Sequence, residues 1–218
     1  MQPLYEKYRP RDWDNLIGQT KCRQKIELLR KRGLAGRVYW ITGQSGTGKT
    51  TAARLIAADV GDDWAVIEID GADLTLDRIR QYEEMCRMKP LGRGQHVFIV
   101  NEAHSLRSPV IRRLNTTFET ECVQRNSTWI FTTTVDGHES LFDGEIEASP
   151  FMSRVHELPL SRRDLTKPFA ERAKEIAMAE GLDGRPVEEY VKLARKRRNN
   201  FRAMLCDIED GVMVMAEE

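Results

Sequence analysis

Four short apolar runs punctuate the first two thirds of the chain: VYWIT at 38–42, WAVIEI at 64–69, VFIV at 97–100 and WIFTT at 129–133. Each is continuous rather than alternating and rich in β-branched or aromatic residues, the pattern of parallel strands covered on both faces. Helices are predicted between them, at roughly 49–58, at 75–88 and from Ser108 and Pro109, an N-cap residue followed by proline in a first turn. Strands alternating with helices give an α/β fold with a doubly wound parallel sheet. After HELPL at 156–160 no further apolar strand follows, and three helices are predicted near 164–180, 186–197 and 199–212. The change of pattern predicts a boundary between an α/β domain, 1–158, and a small helical domain, 159–218.

Composition changes this picture little. Lys plus Arg equals Asp plus Glu at 34 each, so no global field draws the chain to nucleic acid or membrane, and any basic surface is local. Cys22, Cys86, Cys122 and Cys206 are isolated singles without C-x-x-C spacing, expected as the reduced thiols of a cytoplasmic protein. No apolar run approaches about 18 residues, and MQPLYEKYRP has no signal-peptide core, so no membrane partner is expected.

The chemistry concentrates in GQSGTGKT, Gly43 to Thr50, which matches G-x-x-x-x-G-K-[ST] and both follows a predicted strand and opens a predicted helix. Glycines 43, 46 and 48 let the backbone curl so that its N–H groups face phosphates, and the helix adds the positive end of its dipole. Gly43, Gln44, Ser45, Gly46, Thr47, Gly48, Lys49, Thr50 and Thr51 thus form the expected phosphate-binding set for ATP. Lys49 reaches the outer phosphates and the Thr50 hydroxyl holds Mg²⁺. Downstream, VFIV delivers Asn101 and Glu102 to the carboxyl edge of the sheet, where α/β folds bind ligands. Glu102 is the expected base that polarises the attacking water, while Asn101 stands where a carboxylate would hold the Mg²⁺ shell through water. An amide oxygen offers the acceptor geometry of a carboxylate without its charge, which predicts a slowed, Mg²⁺-hungry ATPase.

YEKYRPRDWDNLIGQ (5–19), GQSGTGKT, VFIVNEAH (97–104) and FMSRV (151–155) occur in an order and spacing that resemble the AAA+ ATPase subunits of sliding-clamp loaders. The likeness is greatest to the small subunits of replication factor C and their phage counterparts, and NNFRAML (199–205) extends it into the helical domain. The resemblance implies a RecA-like parallel five-stranded sheet followed by a three-helix lid. It also implies an adenine wall of Tyr8, Arg9, Pro10, Ile17 and Gly18, and Arg202 as a lid arginine sensing the γ-phosphate. Thr134, or its neighbour Thr133, falls at the family's polar sensor. Ser153 and Arg154 resemble the pair whose arginine reaches a neighbouring subunit's ATP as a finger, a contribution of about 10³ to 10⁵ in rate in related nucleotidases. LDRIR (76–80) resembles the segment lining the family's DNA channel, which makes Arg80, Arg78 and, on the next helix, Arg112 or Arg113 expected backbone contacts. The implied partners are other AAA+ subunits, a ring-shaped clamp and the DNA backbone. Two departures stand out: the family's Ser-Arg-Cys reads Ser-Arg-Val, and the third, collar-forming helical domain is not among these 218 residues, which suits a minimal form or a fragment. Two rival readings keep the ATP site, a non-hydrolysing assembly or regulatory module with Asn101 as its disabling mark, and a helicase-loader-like or other regulatory AAA+ protein.

Overall fold

The computed structural model describes residues 2–134 and 148–214. Five parallel strands, β1 (Val38–Thr42), β2 (Val66–Asp70), β3 (His96–Asn101), β4 (Ser127–Thr133) and β5 (Val155–Pro159), form one sheet in the order β2-β3-β4-β1-β5. The sheet is the α/β one that the apolar runs predict. Register aligns Thr42 with Thr133 and Asp70 with Asn101, so the carboxyl ends of β1 to β4 finish together along one edge.

Although each run is continuously apolar, its residues sort by period two into two different cores. On one face Tyr39, Ile41, Val97, Ile99, Ile130 and Leu158 pack with Ile26 of α2 (Thr20–Arg30) and with Ala52, Leu55 and Ile56 of α3 (Lys49–Val60). The other face is aromatic: Trp40, Phe98, Trp129 and Phe131 meet Tyr82 of α4 (Leu76–Met85), Val110, Ile111 and Leu114 of α5 (Ser108–Thr117), and Phe118 just beyond it. Ring centroids of Phe98 lie 4.5 Å from both Tyr82 and Trp129. The small alanines of α3 let that helix lie close to the strands, and close packing there fixes where its first turn points.

The run at 64–69 enters the sheet later than its hydrophobicity predicts. Asp63–Ala65 form a 3₁₀ turn closed by Ala65 N–H on the Asp62 carbonyl, which leaves Trp64 exposed and starts β2 at Val66. Three short helices, α1 (Leu4–Lys7), α6 (Glu121–Asn126) and α7 (Ala148–Met152), also belong to the described residues of the sheet-bearing part.

Three helices follow β5: α8 (Thr166–Glu180), α9 (Val187–Lys196) and α10 (Phe201–Glu209). Phe169, Ala173, Ile176, Tyr190, Leu193, Met204, Leu205 and Ile208 enclose a third core, into which Leu4 from the far end of the chain also inserts. The Leu4 N–H donates to Glu209 Oε1 at 2.8 Å, and the Tyr8 phenol donates to Glu180. The N-terminal segment is therefore pinned to the helices and runs back past the sheet edge. All four cysteines are free thiols. Among the described residues no helix is long and apolar enough to cross a membrane.

Candidate functional site

At the carboxyl edge of β1 the chain turns through the glycine-rich loop into α3. Gly46 and Gly48 sit at φ +76° and +97°, a left-handed conformation that costs a side chain roughly 1–2 kcal/mol and a glycine little. Lys49, only 8% exposed, donates from Nζ to the carbonyls of Gly43 at 2.9 Å and Gln44 at 3.3 Å, while the Thr47 hydroxyl donates to Gln44 O at 2.8 Å. Burial holds the Lys49 ammonium below the ordinary lysine range. The Glu102 carboxylate works the other way, and the Arg162 and Arg202 cations add to the lowering. Three cations against one carboxylate make this loop a place that a polyphosphate anion would neutralise.

A cleft opens over that loop. Tyr8, Arg9 and Pro10 from the N-terminal segment line it, with Ser45, Gly46, Gly48, Lys49, Thr50 and Thr51, with Glu102 and Thr134 from the strand ends, and with Arg202 from α10. A contiguous apolar hollow takes Ile17 together with Tyr8, Pro10, Thr47 and Phe201. Gly18 lies apart from both linings; its φ of +68° and a Leu165 methyl that occupies the place of a Cβ give it a packing role. The two threonines at the end of β4 divide: Thr134 lines the cleft, whereas the buried Thr133 hydroxyl lies 3.2 Å from His104 Nδ1.

Glu102 takes φ +48°, a left-handed conformation that is uncommon outside glycine and turns its carboxylate from the strand direction into the cleft. Asn101, one residue earlier, is not part of the lining. Its Nδ2 donates to Glu68 Oε1 at 2.6 Å and its Oδ1 accepts from the Thr132 hydroxyl at 2.9 Å. Arg154 is elsewhere, bonded to the Glu119 carboxylate and the Pro150 carbonyl in a hollow it shares with Arg37 and His156, at the amino ends of β1 and β5. Arg78 and Arg80 on α4 and Arg112 on α5 belong to the aromatic side of the sheet, away from the cleft; Arg80 is exposed and pairs with Asp77 at 2.8 Å.

Several residues that complete the site were not singled out from sequence. Tyr5, Phe201 and Leu205 line the cleft, and the Arg202 guanidinium stacks 5.4 Å over the Tyr5 ring. Gln19, 3% exposed, donates to Ser161 O at 2.9 Å and accepts from Ser161 N, tying the approach to α2 to the segment after β5. Arg162 donates to Ser45 O, and Asn200, which caps α10 by accepting from Ala203 N at 3.2 Å, stands against Gly46. The IGQ tripeptide and the double arginine of SRRDL were the visible signals for two of these.

The profile of the ATPase family associated with various cellular activities (AAA) matches residues 39–143, from within β1 past Glu102 and Thr134. Over that stretch the chain is AAA-like. Its relatives point the same way: this chain is 34% identical over 53% of its length to the replication factor C small subunit of Methanoculleus marisnigri. It is also 24% identical over 98% of its length to the replication factor C large subunit of Thermococcus kodakarensis. The matches cover 37% and 43% of those proteins, so the chain spans less than half of the relatives it resembles. A solved structure of the RuvB Holliday junction branch migration motor of Thermotoga maritima superposes with a TM-score of 0.68 at 23% identity over 93% of this chain and 64% of that one, a likeness of fold.

The oxygen donors gathered here suit a hard divalent cation. Thr50 and the Glu102 carboxylate line one cleft, and Mg²⁺ is held by one or two protein groups plus substrate phosphates rather than by a protein cage. Accordingly no cluster of three or more His, Cys, Asp or Glu is required, and none occurs among the described residues.

Proposed function

We propose that this chain binds Mg-ATP in the cleft over Gly43–Thr51 and hydrolyses it within an assembly of AAA subunits, coupling the cycle to placing a ring-shaped clamp on DNA in the cytoplasm. The observation that carries the reading is convergence: the loop, Glu102, Thr134, the Tyr8–Pro10 wall and Arg202 come from five separated stretches and meet in one cleft. Lys49 neutralises the outer phosphates, and Tyr8, Pro10, Ile17 and Phe201 supply an apolar surface for the base. Glu102 orients water and accepts its proton, Thr134 hydrogen-bonds the terminal phosphate, and Arg202 reports its presence to the helical part. Mg²⁺ held by Thr50, and through water by Asn101, would neutralise charge on the phosphoryl oxygens.

Arg154 lies away from the cleft of its own chain, which is the arrangement a finger acting on a neighbour's nucleotide requires. In this reading residues 1–158 and 159–218 are the two bodies that the nucleotide joins. Arg78, Arg80 and Arg112 face the DNA backbone, where exposed arginines bind without sequence preference. The likeness to replication factor C subunits supports the clamp and DNA partners. A second reading, an ATP-dependent assembly module without turnover, draws on Asn101, whose amide is committed to Glu68 and Thr132 rather than lining the cleft.

Hydrolysis by mixed assemblies separates the two. Arg154→Ala and Glu102→Gln chains are each expected to be inactive alone yet to regain turnover when mixed with primed DNA present, because intact fingers then face intact bases. No turnover by the unaltered chain in any assembly would favour the second reading. Turnover by the unaltered chain without recovery in verified mixed assemblies would remove Arg154 from the finger role.

A further inference from the structure

Asn101 is the residue at which the expected carboxylate is missing, and its surroundings explain why an amide stands there. The side chain bridges three strands at the carboxyl edge of the sheet. On β2, Glu68 Oε1 accepts from Asn101 Nδ2 at 2.6 Å; on β4, the Thr132 hydroxyl donates to Asn101 Oδ1 at 2.9 Å. The other Glu68 oxygen accepts from Arg54 on α3 at 3.0 Å, and Arg54 also stands 3.7 Å from Glu6. Thr132 is 1% exposed, so its hydroxyl is held on this acceptor by the core around it.

An aspartate has no N–H to give. At 101 it would set a second carboxylate against Glu68 at hydrogen-bond distance, where like charges repel. Asn at 101 and Glu at 68 are therefore one arrangement, not two independent residues. A carbonyl oxygen has two acceptor positions and Thr132 fills one, which leaves one for a metal-bound water. An amide whose N–H donates to a carboxylate is polarised along the chain of bonds, and its oxygen becomes a stronger acceptor.

We propose that Glu68 is a positioning residue for the metal: it fixes the Asn101 amide and lends that amide the negative charge which side chain 101 does not carry itself. This rests on the Mg-ATP reading above. Glu68→Gln is the informative change, since a glutamine oxygen can still accept from Asn101 Nδ2 while the charge, and with it the Arg54 hydrogen bond to the other oxygen, is lost.

Four full chains are compared: unaltered, Glu68→Gln, Asn101→Asp and the double variant. Two quantities are read on each, the Mg²⁺ concentration for half-maximal binding of a non-hydrolysable ATP analogue, and the melting temperature without metal or nucleotide. Glu68→Gln alone is expected to raise the Mg²⁺ requirement about 2- to 10-fold, the range of one hydrogen bond's net worth. In the Asn101→Asp background the same change is expected to lower the requirement and to restore a melting temperature that Asn101→Asp had depressed. That reversal of sign is the signature of the coupled pair. An effect of the same sign in both backgrounds, or analogue binding with one Mg²⁺ dependence in all four chains, overturns the inference and leaves the Mg-ATP reading intact. Absence of analogue binding in the unaltered chain takes both down together.

Discussion

Gly46 lies where two demands on a single residue meet. Its φ is +76°, and a Cβ at this position would collide with Asn200 Oδ1, the atom that caps α10. Gly46→Ala therefore adds a collision with the helical part to a backbone strain of roughly 1–2 kcal/mol. Gly33 is the built-in control, with φ +85° and no atom within 4 Å of where a methyl would stand, so Gly33→Ala carries the strain alone. Gly46→Ala is expected to lower the melting temperature more than Gly33→Ala and to weaken nucleotide binding, which Gly33→Ala leaves unchanged; equal effects in a melting and titration series would refute the contact. At this scale the sequence was most legible where short local motifs set a residue's place, as with Lys49, Thr50 and Glu102, which line one cleft. It was least legible where function depends on a partner far along the chain. Nothing in VIEID announces that Glu68 holds Asn101, and nothing in SRRDL announces that Arg162 reaches Ser45.

Among the elements, β1, β3 and β4 were readable because burial on both faces leaves no polar alternation to confuse the period; four of the five strands lie within or beside the expected apolar runs, and β5 falls at HELPL. Helix α2 was not anticipated for a physical reason: of TKCRQKIELLR only Cys22 and Ile26 are buried, too narrow an apolar stripe to mark a helix. The sheet edge formed by β1 and β5 carries a pH-sensitive contact. Arg37 Nη1 donates to His156 Nε2 at 3.0 Å, which requires that nitrogen unprotonated, and burial followed by the Arg37 charge holds the imidazole below its usual 6.5. Because the folded-state value is depressed, the contribution to stability is complete above pH 6.5 and is lost as pH falls toward and through the folded-state value. Melting between about pH 7.5 and 5.5, a span that brackets the ordinary imidazole range, should thus drop less in His156→Gln than in the unaltered chain, and an identical drop in both would show that His156 plays no part.

At the scale of the whole molecule, the cleft over the glycine-rich loop is assembled from both ends of the chain. Leu4 and Tyr8 are anchored on α10 and α8, more than 170 residues away, and in doing so they lay Arg9 and Pro10 along the cleft. The sequence motif at 5–19 signalled that this stretch matters, but its seating on the helices depends on long-range packing that periodicity does not encode. Gln19, Arg162 and Asn200 then tie the loop to the segments after β5 through direct contacts. The central claim is that this cleft binds ATP through Lys49, and a titration of labelled ATP with Mg²⁺ against the unaltered chain and Lys49→Ala tests it most directly. Loss of hydrogen bonds to a charged group, each worth about 1.5–3 kcal/mol, should weaken binding by at least roughly 10- to 100-fold. Saturable binding by the unaltered chain that collapses in Lys49→Ala is the result this account predicts, and equal affinity in the two chains would contradict it.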